Sequence, residues 1–106
     1  MTPADELRAA AEKLRTLAAE ASPAPWTANR WGNVETAGYE EVAEVWPLRA
    51  KPHANADHIA AMHPGVGTAL ADWLDATASY YTPGPAHPTH VVHALAVARA
   101  ILGSQP

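Results

Sequence analysis

Apolar residues recur at helical spacing at both ends of the chain and lose that spacing in the middle. Leu7, Leu14 and Leu17 fall on one stripe, filled out by Ala10, Ala11, Ala18 and Ala21, with charged residues on the opposite face. The pattern predicts a helix over residues 3–21. Thr2 can cap it, Pro3 suits the first helical position, and Asp5 sits where the helix dipole favours a carboxylate. Ser22-Pro23-Ala24-Pro25 ends it, because two prolines remove donors and bias their predecessors away from helix.

Residues 26–46 read as a three-stranded antiparallel meander. Trp26–Arg30, Asn33–Thr36 and Glu41–Trp46 are the expected strands, separated by Trp31-Gly32 and by Ala37-Gly38-Tyr39, each break holding a turn glycine. Alternation is imperfect: Val42, Glu44 and Trp46 share one face, Ala43 and Val45 the other. Pro47–Ala54 reads as a loop. Helical spacing then returns. Asn55 is the expected cap of a helix over 55–62, with Asp57 in its first turn. His63-Pro64-Gly65 interrupts it, and a second helix over 64–81 starts at Pro64, capped by His63. In that helix Val66, Leu70, Trp73, Leu74 and Thr77 form the stripe that places Trp73 in the core.

A stiff segment, Thr82-Pro83-Gly84-Pro85-Ala86-His87-Pro88, leads to a last helix over 90–102, with Thr89 as cap and Gly103 as stop. Val91, Val92, Leu95, Val97, Ile101 and Leu102 go most of the way around it. A helix apolar on most sides is buried on most sides, which implies a central position or a subunit interface, and a homodimer is expected. The fold class is α+β: one domain of 106 residues with an N-terminal helix, a meander and two to three C-terminal helices.

Composition narrows the possibilities. Hydrophobic residues make up 48% of the chain, but 25 of them are alanine; Leu, Ile and Val number 17 and Phe is absent. That raises disorder, which a net charge of only -4 and the concentration of four Trp and three Tyr argue against. The thin core suits a small domain, not a large α/β enzyme. With no cysteine, disulfide scaffolds, thiolate nucleophiles and Cys-ligated metal centres are excluded. Charges run throughout residues 1–21, so no signal peptide is expected there, and a cytoplasmic location is. No apolar run approaches the ~20 residues of a membrane span. Seven Lys and Arg leave no electrostatic footprint for nucleic acid. A protein or small-molecule partner is expected.

Three segments carry a family resemblance. Ser22-Pro23-Ala24-Pro25-Trp26 resembles the "T-P-G-P-W" lead-in to a β-meander in small phage and actinobacterial proteins. Asn55-Ala56-Asp57-His58-Ile59-Ala60-Ala61 resembles the "A-D-A-x-x-I-A" helix start that follows it, and Ala94–Leu102 is similar to a closing helix of an actinobacterial subset. Together they resemble Ead-like phage early proteins and related actinobacterial domains of unknown function. The resemblance implies an α–β–β–β–α–α layout and a phage or prophage origin. Some relatives carry Cys and His between the last two helices; here that stretch is proline-rich and holds His87 without a cysteine.

Candidate chemistry is sparse. His87, His90 and His93 lie at three-residue spacing, and neutral imidazoles so placed could hold zinc or nickel, with Asp57 or His58 as a further ligand. The alternative is that His90 and His93 are ordinary polar residues at a helix start. His53, His58 and His63 recur every five residues and so fall on different helical faces. Asp72 and Asp75 are three apart, yet they flank the stripe residues Trp73 and Leu74 and should face solvent instead of serving acid–base chemistry. No phosphate-cradling loop or nucleophile elbow is present, so an enzyme is not expected. Trp26 and Trp46 could pack together. Trp31, in a turn, either packs within the domain or anchors a partner together with Arg30, Tyr39 and Arg49 as a patch on the outer sheet. The expected function is that of a non-enzymatic accessory protein acting by protein–protein binding in host takeover or counter-defence. The alternative is a small-molecule or metal binder using the His-rich C-terminal segment.

Overall fold

A computed structural model of the chain describes residues 1–45, 52–84 and 87–103. The element order is α1 (Pro3–Glu20), β1 (Trp26–Ala28), β2 (Val34–Thr36), β3 (Glu41–Ala43), α2 (Pro52–Ala61), α3 (Pro64–Ser79) and α4 (Thr89–Leu102). This is the expected α+β layout. Contacts divide the chain into two compact units, Met1–Leu17 with Thr68–Pro106, and Ala18–Gly67.

In the first unit, α1 starts on a reciprocal cap. The Asp5 N–H donates to Thr2 Oγ1 at 3.1 Å, and the Thr2 N–H donates back to the Asp5 carboxylate at 3.2 Å. Hydrogen bonding to the carboxylate from the Thr2 side chain first, and from the Thr2 N–H second, holds the Asp5 carboxyl below its ordinary value. Leu7, Ala10, Ala11, Ala71, Leu74, Ala78, Val91, Ala94, Leu95 and Ala98 form the buried cluster. Leu14 is half-buried against it and Leu17 is exposed, so the α1 stripe is buried at its N-terminal end only. Polar ties join the same elements. Arg99 pairs with Glu6 at 3.0 Å, and Lys13 Nζ donates to the Ile101 carbonyl at 2.9 Å, satisfying the last turn of α4. Gly103 closes that helix at φ 76°, a left-handed cap as expected.

Four features of this unit differ from the sequence reading. Trp73 is 40% exposed, because the buried stripe of α3 is Ala71, Leu74 and Ala78, and Trp73 lies about 100° from Leu74 around the axis. α3 stops at Ser79, leaving Tyr80 exposed and Tyr81 half-buried against the cluster. Thr89 is inside α4, not its cap; Pro88 takes that position without a side-chain bond. Finally, α4 buries only Val91, Ala94, Leu95 and Ala98 fully, while Val92, Ala96 and Ala100 are exposed.

In the second unit, β1, β2 and β3 form an antiparallel sheet in that order. Trp26 pairs with Thr36, Thr27 with Glu35 and Ala28 with Val34. Between β2 and β3 the register shifts: Val34 faces Ala43 but Glu35 faces Glu41, so Val42 is an extra residue on β3. The bulge explains the broken alternation, since Val42 and Ala43 are both half-buried against Val34, Ala56 and Ala60. Trp26 packs against the same cluster and donates its indole N–H to the Ser22 carbonyl at 3.0 Å. Trp46, Arg49 and most of the expected loop over 47–54 lie outside the described residues.

α2 begins at Pro52, ahead of the expected Asn55 cap, with proline in the first-turn position it favours. Asn55 and Asp57 are therefore interior residues. His63 caps α3 as expected: its Nδ1 accepts the Gly65 N–H at 3.0 Å and its carbonyl accepts the Val66 N–H at 3.0 Å.

Candidate functional site

The two hairpin loops of the sheet share one construction. In the first, Asn29 and Asn33 bracket Arg30-Trp31-Gly32. The Asn29 N–H donates to the Asn33 carbonyl at 2.8 Å. The Asn29 carboxamide oxygen accepts the Trp31 and Asn33 N–H groups at 3.0 and 3.1 Å. Gly32 takes the left-handed position at φ 80°. In the second loop, Thr36 and Glu40 bracket Ala37-Gly38-Tyr39, and Thr36 Oγ1 accepts the Glu40 N–H at 3.2 Å. Here the left-handed residue is Tyr39, φ 64°, not the neighbouring Gly38. A non-glycine side chain is held there against a cost of about 1 kcal/mol.

At the tip of the first loop Trp31 is 67% exposed, with the Arg30 guanidinium 4.2 Å from its ring centroid. Stacking occupies one face of the guanidinium and does not consume its in-plane N–H donors. Among the described residues no carboxylate pairs with Arg30. Asn33 steadies the loop further, its side-chain oxygen accepting the Val45 N–H at 3.1 Å. Packing within the domain is thus not the role of Trp31: the loop register turns it outward.

Tyr39 is also exposed, but the antiparallel pairing puts its loop at the other end of β2 from Trp31. Arg30 and Trp31 therefore form a cluster that does not include Tyr39, while Arg49 lies outside the described residues. The Arg30–Trp31 stacking depends on the loop conformation, which hydrophobic patterning does not specify. Its signal is the asparagine before the loop, which can template a turn through its side chain.

The histidines do not assemble. His90 and His93 are exposed on the first turns of α4, and His87 is half-buried with its ring 5.5 Å from that of Tyr81. Among the described residues no three His, Asp or Glu side chains are grouped to hold a metal ion. Asp72 and Asp75 face outward as expected, yet not unpaired: Arg15 bonds Asp72 at 2.9 Å and also Asp75. The two carboxylates hold the Arg15 guanidinium above its ordinary pKa, Asp75 contributing most. That arrangement ties α1 to α3. A shallow groove of about 440 Å³ is lined by Ala43, Glu44, Val45, Asn55, His58 and Ile59. Its titratable side chains, Glu44 and His58, are both exposed.

Compared with known proteins, the chain matches no protein-family model, no curated protein and no solved structure. Among the described residues no helix is long and apolar enough to cross a membrane.

Proposed function

We propose that this chain is a small non-enzymatic accessory protein, of phage or prophage type and acting in the host cytoplasm, that works by binding another protein. The anchor is the Arg30–Trp31 tip. The observation that carries this reading is a tryptophan two-thirds exposed on a loop whose backbone is fixed by Asn29, with an arginine stacked on it that meets no carboxylate among the described residues. Trp and Arg dominate the energetics of protein interfaces, and a preordered loop loses little entropy on binding. Host takeover or counter-defence is the setting that the family resemblance suggests. Affinity capture from an actinobacterial lysate tests the reading, with wild-type and Trp31→Ala chains immobilised in parallel. A protein held by the wild type and lost from the variant supports it; identical captures refute it.

A further inference from the structure

A second surface, independent of the hairpin tip, lies on α3. Ala71, Leu74 and Ala78 face the buried cluster, whereas Ala69, Trp73 and Ala76 are exposed, as is Tyr80 just past the helix end, where its N–H still donates to the Ala76 carbonyl at 3.2 Å. The exposed set is spaced four, three and four residues apart. That is the a/d repeat of a coiled-coil seam, carried on the side of the helix turned away from the buried cluster. The seam alternates small and large residues, with Trp73 40% and Tyr80 86% exposed between two alanines.

We propose that this seam binds a second copy of the chain, α3 against α3 in antiparallel orientation about a two-fold axis. The alternation makes the seam its own complement only in that orientation. Trp73 then lies opposite Ala76 of the second copy and Tyr80 opposite Ala69, large against small at every level. A parallel pairing would set Trp73 against its own copy and alanine against alanine, leaving overlap at one level and a gap at the next. The flanks are compatible as well. Asp72 lies opposite Ser79 of the second copy and Leu70 opposite Thr77, so no like charges meet.

Polar groups at the rim already have partners. Asp72 is bound by Arg15 at 2.9 Å, Thr77 Oγ1 donates to the Trp73 carbonyl at 2.9 Å, and Ser79 Oγ donates to the Asp75 carbonyl at 3.0 Å. Pairing therefore covers the seam without stranding a charge. The remaining surface of the two aromatics comes to roughly 250–300 Å² per copy, given that such side chains bury about 150–250 Å² each. Even with the alanines and flanks, the total falls below the ~1,200 Å² of a standard interface, so the dimer is a weak, concentration-dependent one.

Sedimentation equilibrium on the full chain from about 10 µM to 1 mM reads this directly. The wild-type mass is expected to climb from 11.2 kDa towards twice that value. Ala76→Glu, at an exposed position, should stay monomeric with an unchanged circular-dichroism spectrum. Ala76→Trp should also lose the dimer, and adding Trp73→Ala should restore it by exchanging large and small. A wild type monomeric throughout overturns the proposal, as does an Ala76→Glu variant that dimerises normally. Dimerisation abolished by Ala96→Glu on α4 but untouched by Ala76→Glu would assign the contact to α4 instead. Because the chain has no cysteine, single cysteines report the orientation. Ala76→Cys, near the axis, should cross-link and Ala69→Cys should not; cross-linking of both would overturn the antiparallel arrangement.

Discussion

Two leucines on α1 undergo the same substitution with different expected costs. Leu7 is fully buried, whereas Leu17 is 53% exposed. Six of the ten residues in the cluster around Leu7 are alanines: Ala10, Ala11, Ala71, Ala78, Ala94 and Ala98. An alanine Cβ is fixed to its helix and cannot rotate into a void, so the space left by Leu7→Ala stays open unless whole helices move. The cost belongs in the upper part of the range for buried leucines, about 3–5 kcal/mol. Leu17→Ala forfeits part of the burial of one leucine and gains slightly in helix propensity, a net loss of about 1 kcal/mol.

Against a total stability of about 5–15 kcal/mol for a chain of this size, the first change removes roughly a fifth or more and the second is minor. Urea titration followed by circular dichroism separates them. With a slope of about 1–2 kcal/mol/M, Leu7→Ala should lower the midpoint by roughly 2 M or more and Leu17→Ala by less than about 1 M. A common slope is required for the comparison, since a changed slope signals loss of two-state behaviour. Equal midpoint shifts would show that the α1 stripe is uniformly buried and would refute the assignment of the core to its N-terminal end.

Further substitutions probe the caps and turns. Tyr39→Gly relieves a side chain at φ 64° and should raise the melting temperature by a few degrees, the strain of about 1 kcal/mol being partly offset by glycine entropy; a lowered melting temperature in a thermal scan counts against the strain. Gly65→Ala would bring a Cβ within 2.7 Å of the His63 ring and should break the bond from the Gly65 N–H to Nδ1, lowering stability by about 1 kcal/mol in the same urea assay. The Asp5 carboxyl is held below its ordinary value of 3.8 by Thr2, so its contribution is present above that pH and fades as the pH falls through the lowered value. Melting temperatures between about pH 5 and pH 2 should therefore decline more gently in Thr2→Ala than in the wild type; parallel curves would mean that the cap does not hold the carboxylate.

These tests fall along the line between what was and was not legible in the sequence. The start of α1, the His63 cap and the Gly103 stop depend on residues within a few positions of one another, and each forms where local chemistry places it. The Pro52 start of α2 was masked by a better-looking cap at Asn55. Which residue of the second hairpin adopts positive φ depends on strand pairing, not on which residue is glycine, and pairing gives the position to Tyr39. Trp31 follows the same rule: once Asn29 and Asn33 pair, the side chain between them must leave the sheet.

α3 shows the deeper reason. Three-and-four spacing identifies a helix that buries a face, but it does not say which face when two satisfy it. Leu74 lies on one and Trp73 on the other, adjacent in sequence and turned by about 100°. Size decides between them. The buried cluster is built largely on alanine, and α3 contributes Ala71, Leu74 and Ala78 to it, small residues on either side of one leucine. Trp73 and Tyr80 therefore remain outside, as Trp31 and Tyr39 do in the hairpin loops. Trp26 and Tyr81 are drawn into the two clusters, but these four aromatics are not consumed in folding and are left where association would draw on them.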